Sequence, residues 1–136
     1  MKNVTKKQAE TLKVLGYNRH TTVYYLTNKE GVFQTSWAAN FNEPALNACS
    51  APTYEEVFEW LRERGVYVWV SAEHSPVGVM FSGNAVLEHN GAVKRFSRDL
   101  FPDYYDAQSF ILELVLGHMT TTREENHSES LDRWEG

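Results

Sequence analysis

The stretch P-T-Y-E-E-V-F-E-W-L-R-E-R-G-V-Y-V-W-V, residues 52–70, leaves the chain few ways to fold. Thr53 followed by Glu56 has the T-x-x-E spacing of a helix capping box. Tyr54, Val57, Phe58 and Leu61 recur at i, i+3, i+4 and i+7, so they share one helical face. Glu55 and Glu56 sit where the helix dipole is positive, Arg62 and Arg64 where it is negative. Gly65 ends the helix, and V-Y-V-W-V is too β-branched to be anything but a strand. A period of two puts Val66, Val68 and Val70 on one face of that strand and Tyr67, Trp69 and Ser71 on the other. The valines suit a helix-covered face. The aromatics belong to a face that is covered, exposed or used.

Other elements assemble around this unit. Thr5 and Gln8 form a second capping box, followed by an apolar stripe of Ala9, Leu12 and Leu15 that stops at Gly16. T-T-V-Y-Y-L (21–26) and V-F-Q-T-S-W (32–37) read as a hairpin. Residues 38–52 have no clear period. They are expected to form a loop whose Phe41, Leu46 and Ala48 fold over one sheet edge, or else a mobile lid. V-G-V-M-F (77–81) reads as a strand, S-G-N-A (82–85) as a plain turn, and 85–97 as a hairpin turning at Asn90-Gly91. A last helix starts near Asp103. Its apolar residues Ala107, Phe110, Ile111, Leu112, Leu114, Val115, Leu116 and Met119 run most of the way round, which requires burial on more than one side. The predicted order is α-β-β-α-β-β-β-β-α: an α+β two-layer domain over 1–119, mainly antiparallel, with a polar, disordered tail over 120–136.

Composition bounds function. At 136 residues the chain is long enough for one domain with its own core, without staples. The single cysteine, Cys49, excludes an intrachain disulfide and fits a reducing cytosol. No apolar run approaches the roughly 20 residues of a membrane span, and the charged start has no secretion signal, so a cytoplasmic protein is expected. The net charge is −5, of which residues 120–136 contribute −3 from two basic and five acidic side chains. A nearly neutral body argues against a nucleic-acid partner, which needs a basic footprint. The one basic cluster is Lys94, Arg95 and Arg98.

The usual reactive constellations are missing. His20, His74, His89, His118 and His127 show no H-x-x-x-H pair and no metal-site spacing to Cys49. Neither Gly-rich phosphate loop occurs. A Cys49–His74 nucleophile pair has no activating signature. No cofactor and no metal are expected. The residual signal is aromatic: four Trp and seven Tyr, with Tyr67 and Trp69 on one strand face and Trp37 able to join them if the first hairpin lies alongside. The candidate binding residues are therefore Trp37, Tyr67, Trp69 and Cys49.

The motif Pro52-Thr53-Tyr54, Val57, Trp60-Leu61-Arg62-Glu63, followed by a short strand, resembles a family of small uncharacterised proteins of Bacteroides-type gut bacteria and their phages or mobile elements. The family pattern also includes L-K-x-x-G-[FY] in the first helix, matched by Leu12 to Tyr17. Its Y-x-A in the last helix is matched by Tyr105-Asp106-Ala107. The likeness spans most of residues 5–119; the short link Arg64-Gly65 and the acidic tail depart from it. It implies this order of elements and a mobile-element origin, and it brings no activity or site residues.

The expected function is a non-catalytic accessory protein that binds another protein and forms a homo-oligomer, a homodimer in the simplest case. The alternatives are a small-ligand binder or enzyme with 38–52 as lid near Cys49 and Trp69, and a weak nucleic-acid binder through Lys94, Arg95 and Arg98.

Overall fold

The computed structural model describes the backbone of residues 2–89 and 91–135 and the side chains of residues 2–88 and 91–122. Among these residues the order is α1 (Lys6–Val14), β1 (Thr21–Leu26), β2 (Val32–Ala39), β3 (Ala48–Ser50), α2 (Tyr54–Arg62), β4 (Val66–Ser75), β5 (Gly78–His89), β6 (Ala92–Phe101) and α3 (Tyr104–Glu135). The class is α+β, as expected, with every strand pairing antiparallel. The strands divide into two three-stranded sheets, β2-β1-β3 and β4-β5-β6.

Both capping boxes form. The Thr5 hydroxyl accepts from the Gln8 N–H at 3.2 Å and Gln8 Oε1 accepts from the Thr5 N–H at 2.9 Å. Thr53 and Glu56 do the same for α2 at 3.3 and 3.1 Å. Each box satisfies two backbone donors that a helix start otherwise leaves bare. The two helix starts are stitched together: the Val4 N–H donates to the Pro52 carbonyl, the Tyr54 N–H to Lys2, and Asn3 Nδ2 to Ala51.

One core joins both sheets and all three helices. It contains Ala9 and Leu12 of α1, Cys49 of β3, Val57, Trp60 and Leu61 of α2, Val66 and Leu87 of the second sheet, and Ile111, Leu112, Val115 and Leu116 of α3. Tyr17 packs edge-on to Trp60 at 5.2 Å, and the Arg64 guanidinium lies over that indole at 3.9 Å.

Three expectations are corrected. Residues 82–85 are not a turn: they lie inside β5, where Gly83 pairs with Val70 on one side and Arg98 on the other. A Cβ on Gly83 would sit 2.7 Å from Ile111 Cβ and 2.9 Å from the Ala107 carbonyl oxygen. The glycine is there to let α3 lie on the sheet, a use of glycine that local pattern reading confuses with a turn. Two expected strands are thereby one, and the unexpected strand is β3, whose Ala48, Cys49 and Ser50 pair with Leu26, Tyr25 and Tyr24. Finally, α3 does not stop at Met119. Its backbone runs on to Glu135, with the Thr120 and Thr121 hydroxyls donating to the carbonyls of Leu116 and Gly117. Residues 118–135 contain neither Gly nor Pro, the two strong helix breakers. The tail's side chains from 123 onward, and Asn90 of the expected turn, lie outside the described residues.

At its far end β6 carries a bulge: Gly83 faces Arg98, but Phe81 faces Phe101, leaving Asp99 and Leu100 opposite Ser82. Leu100 takes a φ of 71°, a left-handed conformation that costs a non-glycine residue about 1–2 kcal/mol.

Candidate functional site

Strand register defines the two faces of the second sheet. Val66, Leu87 and Lys94 stand in one row across it, Val68, Ala85 and Phe96 in the next, and Val70, Gly83 and Arg98 in the next. These rows face α3, and their central residues Val66, Ala85 and Leu87 are buried. The alternate rows are Tyr67, Val86 and Arg95, then Trp69, Asn84 and Ser97, with Glu88 opposite Val93 nearer the β5–β6 turn. They point away from the helix. Tyr67 is 51 %, Trp69 46 % and Val93 59 % exposed. Beside the aromatics, Asn84 ties the three strands together: its Nδ2 donates to Ser71 Oγ at 3.2 Å and its Oδ1 accepts from Ser97 Oγ at 3.1 Å. The outer face is a sheet surface with an aromatic pair, valines, one arginine and a polar ladder.

Tyr67 and Trp69 are the two predicted site residues that the fold brings together. Trp37 is on the other sheet. Between Thr21↔Ala39 and Val23↔Gln34 the β1–β2 register jumps, so β2 bulges over residues 35–38, closed by the Thr35 hydroxyl on the Trp37 carbonyl at 2.6 Å. Trp37 is displayed there, 72 % exposed. Phe33 stacks instead on Tyr24, whose other neighbour is Phe41 at 4.3 Å. Cys49 is buried in β3 at the core. Burial pushes its thiol up, Glu10 adds to this, and Lys13 and Lys6 only partly offset it. The thiolate, the reactive form, is thus disfavoured.

The 38–52 segment is anchored. Asn42 Oδ1 accepts from the Ser50 N–H, Asn42 Nδ2 donates to the Tyr17 carbonyl, and Lys13 Nζ donates to the carbonyls of Leu46 and Ala48. It closes the edge of the first sheet, far in sequence from Trp69 and on a different sheet. Phe41 and Ala48 pack down as expected, whereas Leu46 stays 44 % exposed.

Clefts among the described residues lie elsewhere. One, of about 420 Å³, lies between α1 and α3 with Lys7 and Glu113 in its walls. Another, of about 320 Å³, opens beside the β2 bulge and is lined by His20, Thr22 and Glu56 among others. Glu56 Oε1 there is already engaged by the Thr53 N–H and hydroxyl. Among the described residues no group of three His, Cys, Asp or Glu is placed to hold a metal ion, and no helix is long and apolar enough to cross a membrane.

Arg95 was singled out only as part of a basic cluster, and Val86, Val93 and Asn84 not at all, although one signal could have placed the first three on this face. Counting outward from the Asn90-Gly91 turn pairs His89 with Ala92, then Glu88 with Val93 and Val86 with Arg95, the observed register. No protein-family model, curated protein or solved structure matches this chain.

Proposed function

We propose that the chain is a non-catalytic binding protein that docks onto another protein through the outer face of β4–β6. The observation that carries this reading is the pair Tyr67 and Trp69, about half exposed, side by side on a sheet face that no helix covers. Tyr and Trp, with an arginine two strands away in the same row, are residue types that concentrate binding energy at protein interfaces. The simplest occupant is a second copy of the chain, giving a homodimer with two sheets packed face to face. The buried, proton-holding Cys49 suits a reducing cytosol, and the family resemblance suggests an accessory role in a phage or mobile element.

Sedimentation across a wide concentration range, for the wild type and for Trp69→Ser, tests the dimer directly. A photo-crosslinking residue at position 69, against one at exposed position 62, tests the face whatever its occupant. A wild type that stays monomeric, together with no product specific to position 69, would remove the proposal.

A further inference from the structure

The free edge of β6 combines three features that do not occur together elsewhere among the described residues. It is an unpaired strand edge, since β6 is last in the order β4-β5-β6. It is basic: Lys94, Arg95 and Arg98 are all exposed, and the described ion pairs belong to Arg19 instead. It is also flanked on the α3 side by apolar surface. Phe110 and Leu114 are 37 % and 39 % exposed and one helical turn apart. The stripe they occupy runs along β6, because Phe110 meets Phe101 at 5.3 Å and His118 meets Phe96 at 5.5 Å. Lys94 Nζ lies 5.6 Å from the Phe96 ring and Arg98 Cζ 5.5 Å from that of Phe110, so two cations overhang this apolar strip.

Charges on an edge strand also serve as a guard against unwanted pairing. A guard alone does not explain why the two edges differ in sign, since β4 (VYVWVSAEHS) carries Glu73 and no Lys or Arg, while β6 carries three cations against the single Asp99. The asymmetry is that of a selective edge, which rejects neutral or basic strands and accepts an acidic one.

We infer that the β6 edge receives an extended acidic segment of a partner protein as a fourth strand. Main-chain hydrogen bonds supply the pairing. On the α3 side of the added strand, carboxylates four residues apart meet Lys94 and Arg98, and the apolar side chain midway between them rests against Phe110 and Leu114. This surface is separate from the outer face around Trp69, so the two readings stand or fall independently.

The test uses the full chain and a fluorescent ten-residue peptide with Glu and Val in turn along one face of the strand and Thr along the other, read by anisotropy at low salt. Expected are saturable binding, weakening with added salt, and a loss of about tenfold or more in affinity, the equivalent of 1.4 kcal/mol, in Lys94→Glu/Arg98→Glu. A peptide N-methylated at alternate residues should not bind, while Trp69→Ser should bind as the wild type does. Four results overturn the inference: no binding of the acidic peptide; equal binding of a Lys/Val peptide; equal binding of the N-methylated peptide; or tighter binding of a single-stranded oligonucleotide of matched charge. Should the charge-reversed chain aggregate while the wild type ignores the peptide, the cations are a guard and nothing more.

Discussion

The two faces of the β4–β6 meander come from alternate residues of the same three strands, yet they answer to different demands. On the inner face the β4 and β5 residues are fitted to α3: valines where the helix leaves room, glycine where it does not, with Ile111 resting on Gly83. On the outer face nothing is fitted, and large side chains stand half in water around an Asn84 ladder. Packing fixes residue size to within a methylene on the first face and leaves it free on the second. Large residues kept where packing does not ask for them point to recognition.

Substitutions that respect or violate this contrast should separate cleanly in size. The largest effect is expected from Gly83→Val, which drives a branched side chain into Ile111 and the Ala107 carbonyl. Overpacking typically costs 1–3 kcal/mol, and because backbone is struck here we expect the upper end, about 3 kcal/mol or loss of folding, read by urea denaturation. Ile111→Ala probes the same contact from the helix. It leaves a cavity and should cost about 3 kcal/mol, as Ile111 is fully buried. If either change costs less than Trp69→Ser, the inner face is not the structural one.

Leu100→Gly should move stability the other way. It relieves a left-handed backbone at φ 71° and forfeits little packing, as Leu100 is 65 % exposed, so a gain of about 1 kcal/mol is expected. A loss instead would mean that the leucine is held there by contacts worth more than the strain. Tyr17 sharpens the comparison through pH. Its hydroxyl is buried without a protein partner, and burial, with Glu56 adding, pushes its pKa up to about 12 from 10.0. The folded chain thus holds this proton more tightly than the unfolded one. The contribution is complete below pH 10 and is lost as pH rises towards 12. Tyr17→Phe should flatten that alkaline loss and, near neutral pH, change stability by less than about 1 kcal/mol. The smallest effect is expected on the outer face: Trp69→Ser should shift stability by no more than about 0.5 kcal/mol while abolishing association.

Local chemistry was readable from the sequence. Both capping boxes, the α2 stripe, the β5–β6 hairpin and the division of β4 into valine and aromatic faces depend on residues a few positions apart. What stayed hidden depends on distant partners. Ser82-Gly83-Asn84 looks like a turn until Ile111 arrives, 28 positions later, to need the space. Ala48–Ser50 has no strand signature of its own, and pairing with β1 makes it one. Alternation told us that β4 has two faces, but whether the aromatic one is covered depends on where α3 settles. Trp37 was separated from Tyr67 and Trp69 because the short β3 completes its sheet and α2 intervenes before the next begins.

The stitching of residues 2–4 to residues 51–54 has a consequence for how the molecule is made. Asn3 and Val4 find their partners only after half a hundred further residues exist. Residues 2–4 leave the ribosome before their partners and wait, the fully buried Val4 still in water, until the second helix follows them out. Loop closure on that scale comes before the contacts that reward it. Docking of this segment during synthesis is therefore gated by the arrival of Thr53.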